Sequence, residues 1–325
     1  MPLQDTDNFI VSRSGTNHKM PASELVDYID TANEALYVNI DGDTMTGNLN
    51  LPSQNGGQLA GFRNVLINGA MNLNFRYGLS VTPGFTGGLY VTDRWAATAT
   101  GAALTSQTLV TDQRARQVIY GAAGNTGATF LQRIESVNAL ALRNRDVTLS
   151  VDLAHSSLTT VTWTAFYPNT NDVFTTWNTI ATGTFTVNST LTRYSATFNM
   201  GDFAWRGVEI RFTVAGMGAG TTWTIRDAQL EPGTVATPFE RRDYGLECLL
   251  SHRYFFNGIT GANLNPNSTT ANISFNAFFP VIMRTVPTIS GWTPSFVNLY
   301  GWTGFQNTLG FNWAGNIAYR AEAEL

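Results

Sequence analysis

The chain has 325 residues, 43% of them apolar and only 13% charged, and carries a net charge of −4. A charged share about half the usual ~25% leaves solubility to Thr, Ser and Asn, which favour strands and turns over helix interiors. The acidic balance provides no basic stripe for a nucleic-acid backbone, and the single cysteine, Cys248, excludes an intrachain disulfide.

In chain order, the start has neither a basic end nor an apolar run of signal-peptide length, and no stretch reaches the length of a membrane span. The expectation is a chain made in a cytoplasm, soluble and not inserted in a membrane. "NFIVSR" reads as a short strand followed by a turn at Ser14-Gly15. A short helix is expected next, with Pro21 at its first position and Glu24 in its first turn. Leu25, Tyr28, Ile29, Ala32 and Leu36 form its apolar stripe. "NIDGDTMTGNLNLPSQNGGQ" then offers little to bury besides Met45, Leu49 and Leu51. Three such side chains cannot hold a core within one chain. Either the segment is a disordered linker, or it is a narrow stem in which several copies pool their apolar groups.

From Val65 the pattern is one of strands separated by Gly, Asn and Pro turns. "DVTLSVDL" places Val147, Leu149, Val151 and Leu153 on one face, and "GVEIRFTV" does the same with Val208, Ile210, Phe212 and Val214. "TVTWTAFY" and "RYSATFNM" repeat the alternation. Period two with turn signals between predicts half-buried antiparallel strands, and about 180 residues of them suggest a jelly-roll β-sandwich. It ends at "TWTIRDAQLEPG"; a second sandwich begins after Tyr244 with "NISFNAFF". The fold class expected is mainly β. Its parts are an N-terminal region over residues 1–40, a stem over 41–62, a jelly roll over 63–243 and a C-terminal β-sandwich over 244–325.

The segment "QLEPGTVATPFERRDYGLE" between the sandwiches is crowded with charge, and Pro232 and Pro238 interrupt strand pairing there. Arg241 and Arg242 between Glu240 and Asp243 suit a salt-bridged joint better than an anion site.

No catalytic constellation stands out. Asp93, Glu135, Asp152, Glu209, Asp227 and Glu231 are available to a glycosidase, which needs two carboxylates ~5–10 Å apart, but spacing selects no pair. Asp152 and Glu209 fall on the polar faces of strands, where solvent-facing charge is expected. His18, His155 and His252 are far apart in sequence, no G-x-S-x-G elbow occurs, and transition-metal spacing is absent. Cys248 lies on a periodic run that suggests a small buried residue. Aromatics remain as a means of glycan recognition, because a sugar's C–H face stacks on Trp or Tyr while its hydroxyls keep polar partners. Tyr167, Phe174 and Trp177 are candidates on the jelly roll. Trp292, Tyr300, Trp302, Phe305 and Trp313, in glycine-rich sequence with Asn and Gln nearby, are candidates for receptor contact at the C-terminal tip.

"DAQLEPGTVATPFERRDYGLECLLSHRYF" resembles the segment that closes a jelly-roll domain in many tailed-bacteriophage tail fibres and tail-tip proteins. "NVLINGAMNLNFRYG" and "YVTDRWAAT" resemble the first strands of that module, which is similar to carbohydrate-binding jelly rolls. "DGDTMTGNLNLP" resembles the stem repeat of such fibres, "DNFIVSRSGTNHKMPASELVDYI" their virion-attachment region, and "YRAEAEL" their C-terminal ends. The resemblance implies a homotrimeric adhesion device of the phage tail, bound to tail or baseplate proteins through its N-terminal region. It also implies a structural calcium near the closing strand, where Asp227 and Glu231 fall; no other cofactor is expected. The expected function is multivalent, non-catalytic attachment of a virion to a bacterial surface glycan. The alternatives are a tail polysaccharide depolymerase and a structural collar or spacer fibre.

Overall fold

The computed structural model describes residues 8–13, 16–21, 62–264, 271–291, 293–308 and 313–325. The chain is mainly β and divides into two compact units, Met1–Leu51 and Pro52–Leu325.

In the first unit β1 (Asn8–Arg13) pairs antiparallel with β2 (Thr16–Pro21), Arg13 opposite Thr16. The strand at "NFIVSR" is therefore present. Pro21, however, ends β2 opposite Asn8 instead of opening a helix. A strand end accepts proline because the ladder there can do without its missing N–H. The remainder of the expected helix, and the stem up to residue 61, lie outside the described residues.

The described part of the second unit opens at residue 62 with turns, not with the strands expected from Val65. Two buried asparagines organise them. Asn64 accepts from the N–H groups of Leu66 and Leu230, both at 3.0 Å. Asn68, at φ 54°, donates to the carbonyls of Leu73 and Asp93, both at 2.8 Å. Asparagine side chains thus supply the partners a strand ladder would have given.

The strands of the large sandwich follow. They are β3 (Leu89–Thr92), β4 (Trp95–Gly101), β5 (Thr105–Thr111), β6 (Arg114–Tyr120) and β7 (Asn125–Ile134), then β8 (Asp146–His155), β9 (Thr160–Thr170), β10 (Val173–Thr186), β11 (Thr192–Asn199), β12 (Val208–Ala215) and β13 (Thr222–Pro232). One sheet runs β10-β9-β12-β7-β4-β3 and the other β11-β8-β13-β6-β5, both antiparallel. The alternating apolar residues meet between them: Val147, Leu149, Val151 and Leu153 of β8 pack in one core with Val161, Trp163 and Ala165 of β9 and Ile210 and Phe212 of β12. Trp95 stacks on Phe130 with centroids 4.8 Å apart.

After β13 the segment through Asp243 consumes its own charges. Glu231 takes Arg63 at 2.7 Å and the Thr237 N–H at 2.9 Å, Glu240 accepts from the Asn64 N–H at 2.7 Å, and Arg242 reaches Glu247 at 3.2 Å. Asp243 caps the helix Tyr244–His252 by accepting from the N–H groups of Gly245 and Leu246.

The C-terminal strands are β14 (Phe255–Leu264), β15 (Ala271–Phe278), β16 (Thr288–Ser290), β17 (Phe296–Val297), β18 (Gly301–Thr308) and β19 (Trp313–Glu322). They form the sheets β14-β19-β16 and β15-β18-β17 around a small core of Ala277, Phe279, Met283, Trp302, Tyr319, Ala321 and Ala323. Ion pairs bind this body to the large sandwich: Glu324 with Arg94 and Arg76, Glu322 with Arg76, and Glu135 with Arg253.

Candidate functional site

The outer face of the β10-β9-β12-β7 sheet carries the most site-like group. On β9, alternation turns Val161, Trp163 and Ala165 into the core, so Thr162, Thr164 and Phe166 face outward. Cross-strand register sets Phe166 beside Glu209 of β12, and Glu209 beside Arg133 of β7. Arg211 occupies the neighbouring row, opposite Thr164. Its guanidinium lies 4.7 Å from the Phe166 ring centre and 5.0 Å from that of Trp177 on β10. An irregularity between Val173 and Trp177 breaks the regular β10 register beside this indole.

Glu209 anchors the arrangement. Its carboxylate is fully buried and accepts from Arg211 Nε at 2.8 Å and Arg133 Nε at 2.9 Å. Two cations on one buried carboxylate hold both guanidinium planes in place, and Arg211 in turn fixes the rings on either side. Trp177 is 42% exposed. The result is a pre-positioned aromatic surface bordered by hydroxyls such as the Thr164–Thr182 pair at 3.0 Å. Such a surface can take the C–H face of a sugar ring while the hydroxyls pair with neighbours.

The sequence candidates fare differently. Trp177 belongs to this face. Phe174 does not: it is buried beneath Arg133, whose guanidinium lies 5.2 Å from its ring centre. Tyr167 is half-buried and stacks on Phe203 at 5.0 Å. At the C-terminal tip Tyr300 is exposed, but Trp302 is only 2% exposed and packs edge-on against Tyr319 at 5.1 Å. Trp302 is thus core, because β18 turns it inward between its two sheets. Phe305 and Trp313 have their backbones in β18 and β19, opposite Ser274 and Leu264. Trp292 lies outside the described residues.

The carboxylates are also placed differently from expectation. Asp152 and Glu209 are buried, not solvent-facing: Asp152 pairs with Arg226 at 3.0 Å and Arg193 at 3.3 Å. Asp227 is ion-paired with Arg114 and lies 3.3 Å from Arg241, while Glu231 is held by Arg63 and Thr237. Guanidinium groups surround Asp227 where a calcium ion would need further oxygens, so this pair does not fit the implied ion. Among the described residues, no group of three His, Cys, Asp or Glu could hold a metal.

His155 is buried, and its Nδ1 accepts from the N–H groups of Ser157 and Leu158. Cys248 is half-exposed, not buried, and desolvation pushes its thiol pKa up, away from the reactive thiolate.

Sequence reading missed Phe166, Arg211 and Arg133. The signal was parity: in "TVTWTAFY" Phe166 follows Thr162 and Thr164 on the polar side of its strand, where an aromatic has no core to join.

No protein-family model matches the chain, and no curated protein matches it. Among solved structures, the enzymatically active domain of bacteriophage CBA120 tailspike protein 4 is similar over 52% of this chain and 21% of that one, at 17% identity and a TM-score of 0.36. A CBM4 structure is similar over 51% of this chain and 98% of its own, at 16% identity and a TM-score of 0.34. TmCBM61, solved with β-1,4-galactotriose, is similar over 53% of this chain and 100% of its own, at 12% identity and a TM-score of 0.29. Likenesses this distant assign neither a ligand nor an activity to this chain.

Proposed function

We propose that this chain is a non-catalytic glycan-binding adhesin of a bacteriophage tail, homotrimeric and docked to tail or baseplate proteins through its N-terminal region. The observation that carries glycan binding is the exposed Trp177, fixed with Phe166 and Arg211 over the buried Glu209 on a threonine-bordered sheet face. The tail assignment rests on the resemblance of the closing segment and the stem motif to tail-fibre sequences. Binding without cleavage is supported by four of the six candidate carboxylates: Asp152, Glu209, Asp227 and Glu231 are each engaged by an arginine.

The experiment is retention of the full chain on purified bacterial surface polysaccharides, with the size of each polysaccharide followed after incubation. Retention with an unchanged size distribution is expected. Shortened polysaccharide would establish the depolymerase reading instead, and absence of retention on every polysaccharide would leave the spacer-fibre reading.

A further inference from the structure

The C-terminal body has a concave surface with a different chemistry from the Trp177 face. On β14 and β19, register pairs Asn257 with Arg320 and Ile259 with Ala318, and on the other side of β19 Ser290 of β16 also pairs with Arg320. All five side chains lie on the outer face, where alternation puts them opposite the buried Tyr319 and Ala321. Above them is a cleft of about 580 Å³, within the ~300–1,000 Å³ range of small-ligand sites.

Its end wall depends on Gly291, at φ 89°, where an added side chain would meet the Ala318 carbonyl at 2.6 Å. Only glycine allows the turn to approach β19 so closely. Ile259, 71% exposed, supplies an apolar floor. Arg320 supplies the charge. Glu322, two residues along on the same face, is taken by Arg76 at 2.8 Å, and among the described residues no carboxylate pairs with Arg320.

We propose that this cleft binds the carboxylate-bearing sugar of an acidic glycan, a uronate, and so forms a second site distinct in specificity from the Trp177 face. The guanidinium fork matches a carboxylate in two parallel hydrogen bonds. Ser290 and Asn257 flank it at hydroxyl-pairing positions, and Ile259 faces the apolar side of the ring. A neutral sugar leaves the arginine without its partner. The proposal rests on the reading of the chain as a glycan binder, and the two sites are separable by experiment.

Saturation-transfer NMR on the full chain, with glucuronate as probe and glucose as its neutral counterpart, tests it. With the large-sandwich face removed by Trp177→Ala, transfer to glucuronate is expected to exceed transfer to glucose at least fivefold. Arg320→Gln should lower it at least fivefold, Arg320→Lys should lower it less, and Ile259→Ser on a different strand should also lower it. Trp177→Ala should leave in place the part of the glucuronate signal that depends on Arg320. Equal transfer to both sugars, or an undiminished glucuronate signal in Arg320→Gln, would overturn the proposal. Loss in Trp177→Ala with retention in Arg320→Gln would move uronate recognition to the large sandwich, overturning the second site while leaving the glycan-binding function standing.

Discussion

Trp177 and Trp302 carry the same indole, and what surrounds each ring decides its role. Trp177 has sheet and guanidinium on one side and solvent on the other, whereas Trp302 is enclosed by Tyr319 and the small C-terminal core. Trp302→Ala should therefore cost about 3–5 kcal/mol of stability, read as a lower urea midpoint; an unchanged midpoint would remove Trp302 from the core. Asp93 offers a second test at this scale. Burial raises its pKa to about 7, against the opposing effects of the Phe75 N–H at 2.5 Å and of Arg76. In the unfolded chain the carboxyl titrates near 3.8, so the unfolded state releases its proton first as pH rises. The stability this group contributes is complete below about pH 4 and is lost as pH rises through about 7. Asp93→Asn, which keeps an acceptor for Phe75, should gain on wild type between pH 5 and pH 8 in denaturant titrations. A wild-type-to-variant difference that is the same at both pH values would show that Asp93 does not titrate in this window.

At the scale of elements, the residues that follow β19 help tie the small sandwich to the large one. Glu324 meets Arg94 and Arg76, and the Tyr90 hydroxyl donates to the Leu325 carbonyl at 3.1 Å, while Arg284 of the small sandwich itself holds this end by donating to the carbonyls of Ala323 and Glu324. Arg94 is buried, with its guanidinium 3.4 Å from the Tyr254 ring centre. Removing one partner of a buried pair leaves an uncompensated charge, so Glu324→Gln should destabilise by about 3–5 kcal/mol. Equilibrium unfolding in urea measures this, and a change under about 0.5 kcal/mol would show that the pair is not stabilising. Strands such as β8, β9 and β12 were legible because one face meets the core, which writes period two into the residues. The turns around Asn64 and Asn68 were not, since nothing in "NVLINGAMNL" says that its asparagines will substitute for a ladder. Asp152 and Glu209 lie on the polar parity of their strands, as read, yet they are buried. Sequence parity shows which face a side chain takes but not that arginines from neighbouring strands cover it. In "GWTGFQNT" the glycines blur the alternation, so the inward Trp302 and the exposed Tyr300 just before it could not be told apart. The face around Trp177 was half visible: its tryptophan was found, whereas its arginines and buried glutamate depend on register between strands far apart in the chain.

For the whole molecule, the proposed trimer makes weak sites effective, because binding by one copy turns the next contact into an intramolecular event. Light scattering should give three times the 35.5 kDa chain mass; a stable monomer at micromolar concentration would contradict trimerisation through residues 41–62. Glycan attachment turns on the exposed indole of Trp177, and Trp177→Ala removes it. Affinity electrophoresis through gels containing a surface polysaccharide that retains the wild-type chain should be run on both proteins, with melting followed on the same samples. Affinity is expected to fall by about 2 kcal/mol, roughly 30-fold, with an unchanged melting temperature. Undiminished affinity in a variant that melts like wild type would contradict glycan attachment through this indole.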